Sequence, residues 1–469
     1  MRHLIVLLLL AGSAAAADFS ARFDALRRAA TPAQLYTLLY ALPKGGDLHN
    51  HLGGSDIPEW LWEVLTNPAT NGGDTFYTRV RLPVQPDALG AGVAFRTIRR
   101  HTYLQLSPAA RAEYVPLTEL TAEERRAWCD AFRLDAPGEG RREFFDGLWV
   151  RRGDIGLSLP VRLELLARNI KAFAAEGVRY VETQIGTDRM YANDGQPVPL
   201  ERIVAETRAL LARADIVATG LTVRFQETVV RFLPNAETRL AEAFALVDAH
   251  RDLWVGINLA GIEENNRGHP SRFLPVFRQL RARYPTLALS IHAGEMDARD
   301  SHIRETLLLG ASRIGHGLNL IHDPDTLLLL QQGRRVLVEV ALVSNRLLEY
   351  VPDLARHPFP EYLRTGLPVC LNTDDRGMWD SNLTDEYYTA VTTFNLSWDE
   401  LVALGRNSLQ HAFAPPELKR RLLEDYEARL AAFTAQFGPG SIEAAFARLG
   451  EVRPVAYGYA RRTWGFTFP

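Results

Sequence analysis

Eight short apolar runs, rich in β-branched residues and with room for a helix between most of them, constrain this chain more than any other feature. They are GGDLHNHL (45–52), VRYVETQI (178–185), LTVRFQETVV (221–230), LWVGINLAG (253–261), LALSIHAGE (287–295), SRIGHGL (312–318), RVLVEVAL (335–342) and PVCLNTDD (368–375). Runs of this kind read as strands buried on both faces. LPVRLELLARNIKAFAAEG has helical apolar spacing and ends at Gly177, a residue suited to stopping a helix. LERIVAETRALLARAD and AETRLAEAFALVDAHRD interleave apolar and charged residues as amphipathic helices do. Strand and helix alternating eight times predict the α/β class and a parallel (β/α)8 TIM-type barrel. An open doubly wound sheet is the alternative, but no Gly-rich dinucleotide loop follows the first strand.

One interval breaks the rhythm. The first two strands are separated by residues 53–177, which read as a helical insertion. TAEE supplies a helix start there, with Thr121 as cap and Glu124 three residues on. An insertion after a barrel strand emerges over the C-terminal face, so it is expected to form a lid or a substrate-selecting cap. From about residue 397 the chain is helical again. Residues 18–469 are therefore expected to form a single barrel domain. With 47% hydrophobic residues there is ample material for its core, and a net charge of −3 gives no reason to expect nucleic acid or anionic membrane as a partner.

Residues 1–17 stand apart. Arg2 precedes an apolar run, Leu4 to Leu10, then small residues with Ala15 and Ala17 in an A-x-A arrangement. This predicts a secretory signal peptide cleaved after Ala17, and an exported protein, periplasmic or secreted. The run is too short for the roughly 20 residues of a membrane span, so no membrane contact is expected after cleavage. With only Cys129 and Cys370, the chain has no disulfide framework. Cys370 reads as a core residue, and a single bridge between the two stays open.

The chemistry gathers at the strand ends. His49 and His51 are two apart on one strand, so both imidazoles face the same way. They sit just before Gly53 and Gly54, at the strand end where such barrels place their active sites. His292 lies near the end of the fifth run, and Asp374 and Asp375 end the eighth. Three histidines and a carboxylate suit Zn2+, which would lower the pKa of a bound water. Glu295 lies three residues past His292 in an acid/base position. His316, between glycines that would clear space around it, could hold or deprotonate a water. Asp375 follows Asp374 directly, so its side chain points elsewhere, toward a substrate. Competing structural roles are a helix cap for Asp375 and an i,i+4 pair with Arg299 for Glu295.

Taken together, LPKGGDLHNHLGGS, GINLAGIE, SIHAGE, RIGHGL, EVALVSNRLL and LNTDD resemble the motifs of the adenosine deaminase family, over roughly residues 42–420. The resemblance implies a metal-dependent amidohydrolase barrel that hydrolyses adenosine or 2′-deoxyadenosine to inosine and ammonia. It implies one zinc per chain held by His49, His51, His292 and Asp374. Glu295 would protonate purine N1, and His316 would orient the attacking water and handle its proton. Asp375 would bind N7 and the Gly261 backbone N3, with a small-molecule purine nucleoside as the partner. Four features depart from the family pattern. Gly53 stands where many adenosine-specific members carry an Asp for the ribose 5′-hydroxyl, Ala341 and Leu342 stand near where the family has Cys and Pro, the insertion is long, and a signal peptide is expected. They leave open another 6-aminopurine as substrate. A different metal-dependent hydrolase is a second alternative, but Lys171 lies before the second strand, where it could not bridge two metals. A binding or signalling protein without catalysis is a third; every catalytic position is nevertheless filled.

Overall fold

A computed structural model describes residues 19–81 and 93–468. The proposed signal peptide lies outside them. All eight runs are strands: β1 (Gly45–His51), β5 (Val178–Ile185), β6 (Thr222–Val230), β7 (Trp254–Ala260), β8 (Ala288–Ala293), β9 (Arg313–His316), β10 (Leu337–Val340) and β11 (Val369–Leu371). Each pairs in parallel with the next, in the order β1-β5-β6-β7-β8-β9-β10-β11. A parallel bridge between Asn50 and Asp374 brings the last strand back to the first. Asp374 N–H donates to His49 C=O at 2.9 Å and His51 N–H to Asp374 C=O at 3.3 Å. The seam of this nearly closed barrel therefore runs through three of the candidate site residues.

The barrel interior is charged as well as apolar. Arg313 is fully buried, with Glu182 at 2.6 Å and Glu339 at 2.6 Å. Its guanidinium also lies over the Phe413 ring. Buried charges survive only when paired in this way. Outside the strands, helices such as Leu159–Ala175 and Ala236–Ala249 bury one apolar stripe each. The C-terminal helices Trp398–Gln410 and Pro416–Phe437 follow the predicted pattern.

The insertion is not simply helical. It holds a three-stranded antiparallel sheet of β2 (Phe76–Arg79), β3 (Thr97–Arg99) and β4 (Tyr114–Pro116), in the order β3-β2-β4. Strands of three or four residues carry almost no periodicity, and their pairing is set by distant partners rather than by propensity. The helix Leu159–Ala175 also belongs to the barrel, so the true excess ends near residue 158. Ala122–Asp130 is a helix with the expected Thr121–Glu124 capping box. The excess has its own core, with Leu61, Phe76, Trp128 and Phe132 packed on Val161 and Leu165 of the barrel helix.

Cys129 and Cys370 are both free and buried. Lys171 pairs with Asp215 on the surface at 2.6 Å, far from any bridging role. Among the described residues no helix is long and apolar enough to cross a membrane.

Candidate metal centre and acid–base site

The residues singled out at the strand ends converge at the C-terminal mouth of the barrel. His51 Nε2 lies 3.2 Å from His292 Nε2 and 3.3 Å from Asp374 Oδ1. His49 Nε2 lies 3.5 Å from the same oxygen. His49, His292, His316 and Asp374 offer ligand atoms close enough to share one cation, and His51, Asp374 and Asp375 form an overlapping group.

Ring orientation is set from behind. His49 Nδ1 meets Glu339 Oε2 at 2.9 Å, and His292 Nδ1 meets Asn258 Oδ1 at 3.0 Å. Each partner accepts a hydrogen bond from Nδ1–H, which aims Nε2 at the centre. His49 Nε2 is buried and has no hydrogen-bond partner. A buried ring nitrogen left without a hydrogen bond fits a metal ligand. Glu339 is in turn fixed by Arg313 and Ser290, so the buried ion pair in the barrel ends on a candidate metal ligand.

Electrostatics separate the three carboxylates. Burial raises Asp374, but the His49 and His51 imidazoles beside it outweigh that and hold the carboxyl well below its usual range. Burial, then repulsion from Asp374 and Glu263, push Glu295 well above that range. Burial, then Asp374 and Glu295, do the same to Asp375. The three carboxyls are thus pushed apart, Asp374 toward its anion and Glu295 and Asp375 toward their acids. Burial pushes His316 down to about 3, so its imidazole is neutral at pH 7. Its Nε2 faces Glu295 Oε1 at 3.7 Å.

Backbone detail supports this layout. Asp374 and His316 both have positive φ, 51° and 65°, which turns each side chain out of the strand alternation. A Cβ at Gly54 would overlap the Asp375 carboxylate, so the residue there must be glycine. The glycines beside His316 do not clear space for it as expected. A Cβ at Gly315 would meet the His49 ring at 2.6 Å, and one at Gly317 the Val338 side chain at 2.6 Å. Asp375 precedes the short helix Arg376–Trp379 but makes no side-chain cap, and its Oδ1 is buried without a partner. The Gly261 carbonyl accepts from Arg231 Nε at 2.7 Å, which fixes that peptide.

Several supporting residues escaped the sequence reading. Arg231 also donates to His292 C=O at 2.7 Å. Glu263 accepts from Gly294 N–H at 3.1 Å and Glu295 N–H at 3.3 Å, and pairs with His302 Nδ1 at 2.7 Å. Glu339 and Asn258 were visible only as lone polar residues inside the apolar runs RVLVEVAL and LWVGINLAG.

The insertion closes over this mouth. Arg133 of the insertion bridges to Asp380 of the barrel loops at 2.8 Å. Phe144 and Leu148 pack with Val343, Tyr350 and Trp379 from the barrel loops.

Comparison with known proteins agrees with this geometry. A sequence model of the family described as adenosine deaminase matches residues 160–428, more than half of the chain. An adenosine deaminase of Enterococcus faecalis is 38% identical over 168 residues, covering 36% of this chain and 48% of that protein. An adenosine deaminase of Erwinia tasmaniensis is 32% identical over 276 residues, covering 59% of this chain and 79% of that one. The match thus spans about half of the first relative and most of the second. The crystal structure of an adenine deaminase from Arthrobacter aurescens superposes with a TM-score of 0.60 at 24% identity, covering 83% of this chain and 99% of that one. It shares the fold.

Proposed function

The chain belongs to the adenosine deaminase family, hydrolases that act on C–N bonds, and on that premise we propose that it converts adenosine, 2′-deoxyadenosine or both to inosine and ammonia. The observation that carries the proposal is a buried Glu295, its carboxyl pushed well above the usual range, 3.7 Å from His316 Nε2 and beside the convergent imidazoles of His49, His51 and His292 and the Asp374 carboxylate. That donor set fits zinc, one ion per chain, held by His49, His51, His292 and Asp374. When bound, zinc supplies a Lewis acid that makes water nucleophilic near neutral pH.

The protein's own groups do the rest. Glu295 gives its proton to purine N1, which makes C6 electrophilic. His316 orients the attacking water. Asp375, also protonated, donates to N7, and the Gly261 N–H reaches N3. These groups come from four strand ends fixed to one barrel, so positioning contributes much of the acceleration.

The sugar preference rests on the insertion and on Gly53. A side chain at residue 53 would point at Trp149 and Arg152 of the insertion, so the insertion stands where the family pattern has a ribose contact. An ultraviolet assay of adenosine, 2′-deoxyadenosine, AMP and adenine, with and without chelator, tests the proposal. Chelator-sensitive conversion of adenosine to inosine is expected. Turnover of adenine or AMP alone would replace the substrate, and turnover of none would remove the activity.

We also propose export, from the character of residues 1–17. N-terminal sequencing of the protein recovered from its native host is expected to begin at Asp18, and a retained Met1 would overturn it.

A further inference from the structure

Behind His316 lies a short hydrogen-bonded chain that neither the metal centre nor the substrate contacts account for. Phe359 N–H donates to His357 Nδ1 at 3.0 Å. A backbone N–H can only donate, so His357 Nδ1 holds a lone pair and the ring proton sits on Nε2. That Nε2 meets Asn345 Oδ1 at 3.0 Å. The amide's orientation follows: its oxygen is taken, and its nitrogen faces outward. Asn345 Nδ2 reaches His316 Nδ1 at 3.4 Å, and an amide N–H2 can only donate. All three side chains are essentially excluded from solvent, so water cannot substitute for any member.

We propose that Asn345 and His357 are positioning residues that hold His316 in the tautomer with its proton on Nε2. The direction of every bond in the chain is set by the Phe359 backbone. Burial agrees, since it pushes His357 down to about 3 and keeps that ring neutral.

The consequence is specific. Neutral His316 cannot offer an Nε2 lone pair, so it stays out of metal coordination although it lies with His49, His292 and Asp374. For the same reason it meets the attacking water as a hydrogen-bond donor to its oxygen, not as its base. In the resting site Nε2 is buried without a hydrogen-bond partner, 3.7 Å from Glu295 Oε1, the arrangement of a donor awaiting an acceptor.

The kinetic part of this inference rests on the deaminase reading; the tautomer does not. The test is a two-bond 15N–1H correlation spectrum of 15N-histidine-labelled, zinc-loaded full-length protein, with His316 and His357 assigned from single variants. Both rings are expected to show protonated Nε2 and bare Nδ1. A proton on His316 Nδ1 in the unaltered protein would overturn the proposal.

Asn345→Asp is nearly isosteric but can only accept. It is expected to pull the His316 proton to Nδ1 and lower kcat about a hundredfold, with KM and bound zinc little changed. An unaltered tautomer in that variant would also sink the idea. His357→Gln, which can still donate to Asn345, is expected to keep most of the activity that His357→Leu loses. Equal losses in both would point to packing alone. If no aminopurine is turned over, the deaminase reading fails while the spectrum still decides the tautomer.

Discussion

Replacing Glu295 with glutamine is expected to lower kcat by about 10² to 10⁴-fold, the span of a lost general acid, while leaving the metal in place. Glutamine keeps the size and one oxygen but has no proton to give to N1. The side chain is buried, and its backbone N–H stays fixed by Glu263, so the site should not rearrange. Steady-state kinetics with elemental analysis of the same sample check this. Full activity, or loss of metal, would show that Glu295 is not the acid. The pH profile carries the same information. A carboxyl raised well above its usual range keeps its proton to higher pH than an ordinary one, and activity falls as pH rises through its raised pKa. The alkaline limb of kcat/KM should therefore disappear, with most of the rate, in Glu295→Gln.

Removing the metal is expected to abolish turnover completely, and zinc addition to restore it. His49→Ala should lose zinc affinity by at least the 10 to 100-fold seen on disturbing even outer partners of a ligand. It removes an Nε2 that is buried without a hydrogen bond. Glu339→Gln should fall within that 10 to 100-fold range, since it weakens the hold on His49 Nδ1 without removing a ligand. Asp374→Asn should lose metal, and Asp375→Ala should keep it while substrate binding weakens. The opposite result for the two aspartates would exchange their roles. Calorimetric zinc titration of the metal-stripped protein measures all four.

Much of this architecture was legible before any coordinates. Each strand of the barrel is a short buried run, with a helix-sized interval before the next once the long first interval is passed, and parallel neighbours follow chain order. The spacing of His49 and His51 placed two imidazoles on one strand end, and the tips of β8, β9 and β11 supplied the rest. What stayed hidden was support from across the barrel. Glu339 lies 290 residues from His49 in the chain, and nothing local to RVLVEVAL says which ring it will hold. Asn345 and His357 are near each other in sequence, but their meaning depends on a backbone N–H that points inward. The small sheet in the insertion was invisible because pairing, not periodicity, makes such strands. The glycines around His316 were misjudged for a related reason: their close neighbours, His49 and Val338, come from other strands.

The insertion has a core of its own, while the groups proposed to do the chemistry stand on strand ends that share a different interior. On the proposed function, chemistry and choice of substrate would be written in separate stretches of chain. Recombination that exchanges residues 53–158 between relatives would change which purine compound is admitted while inheriting the reaction intact. Laboratory evolution of new specificity in this protein has its shortest route there, and its longest through the charged interior that ends on His49.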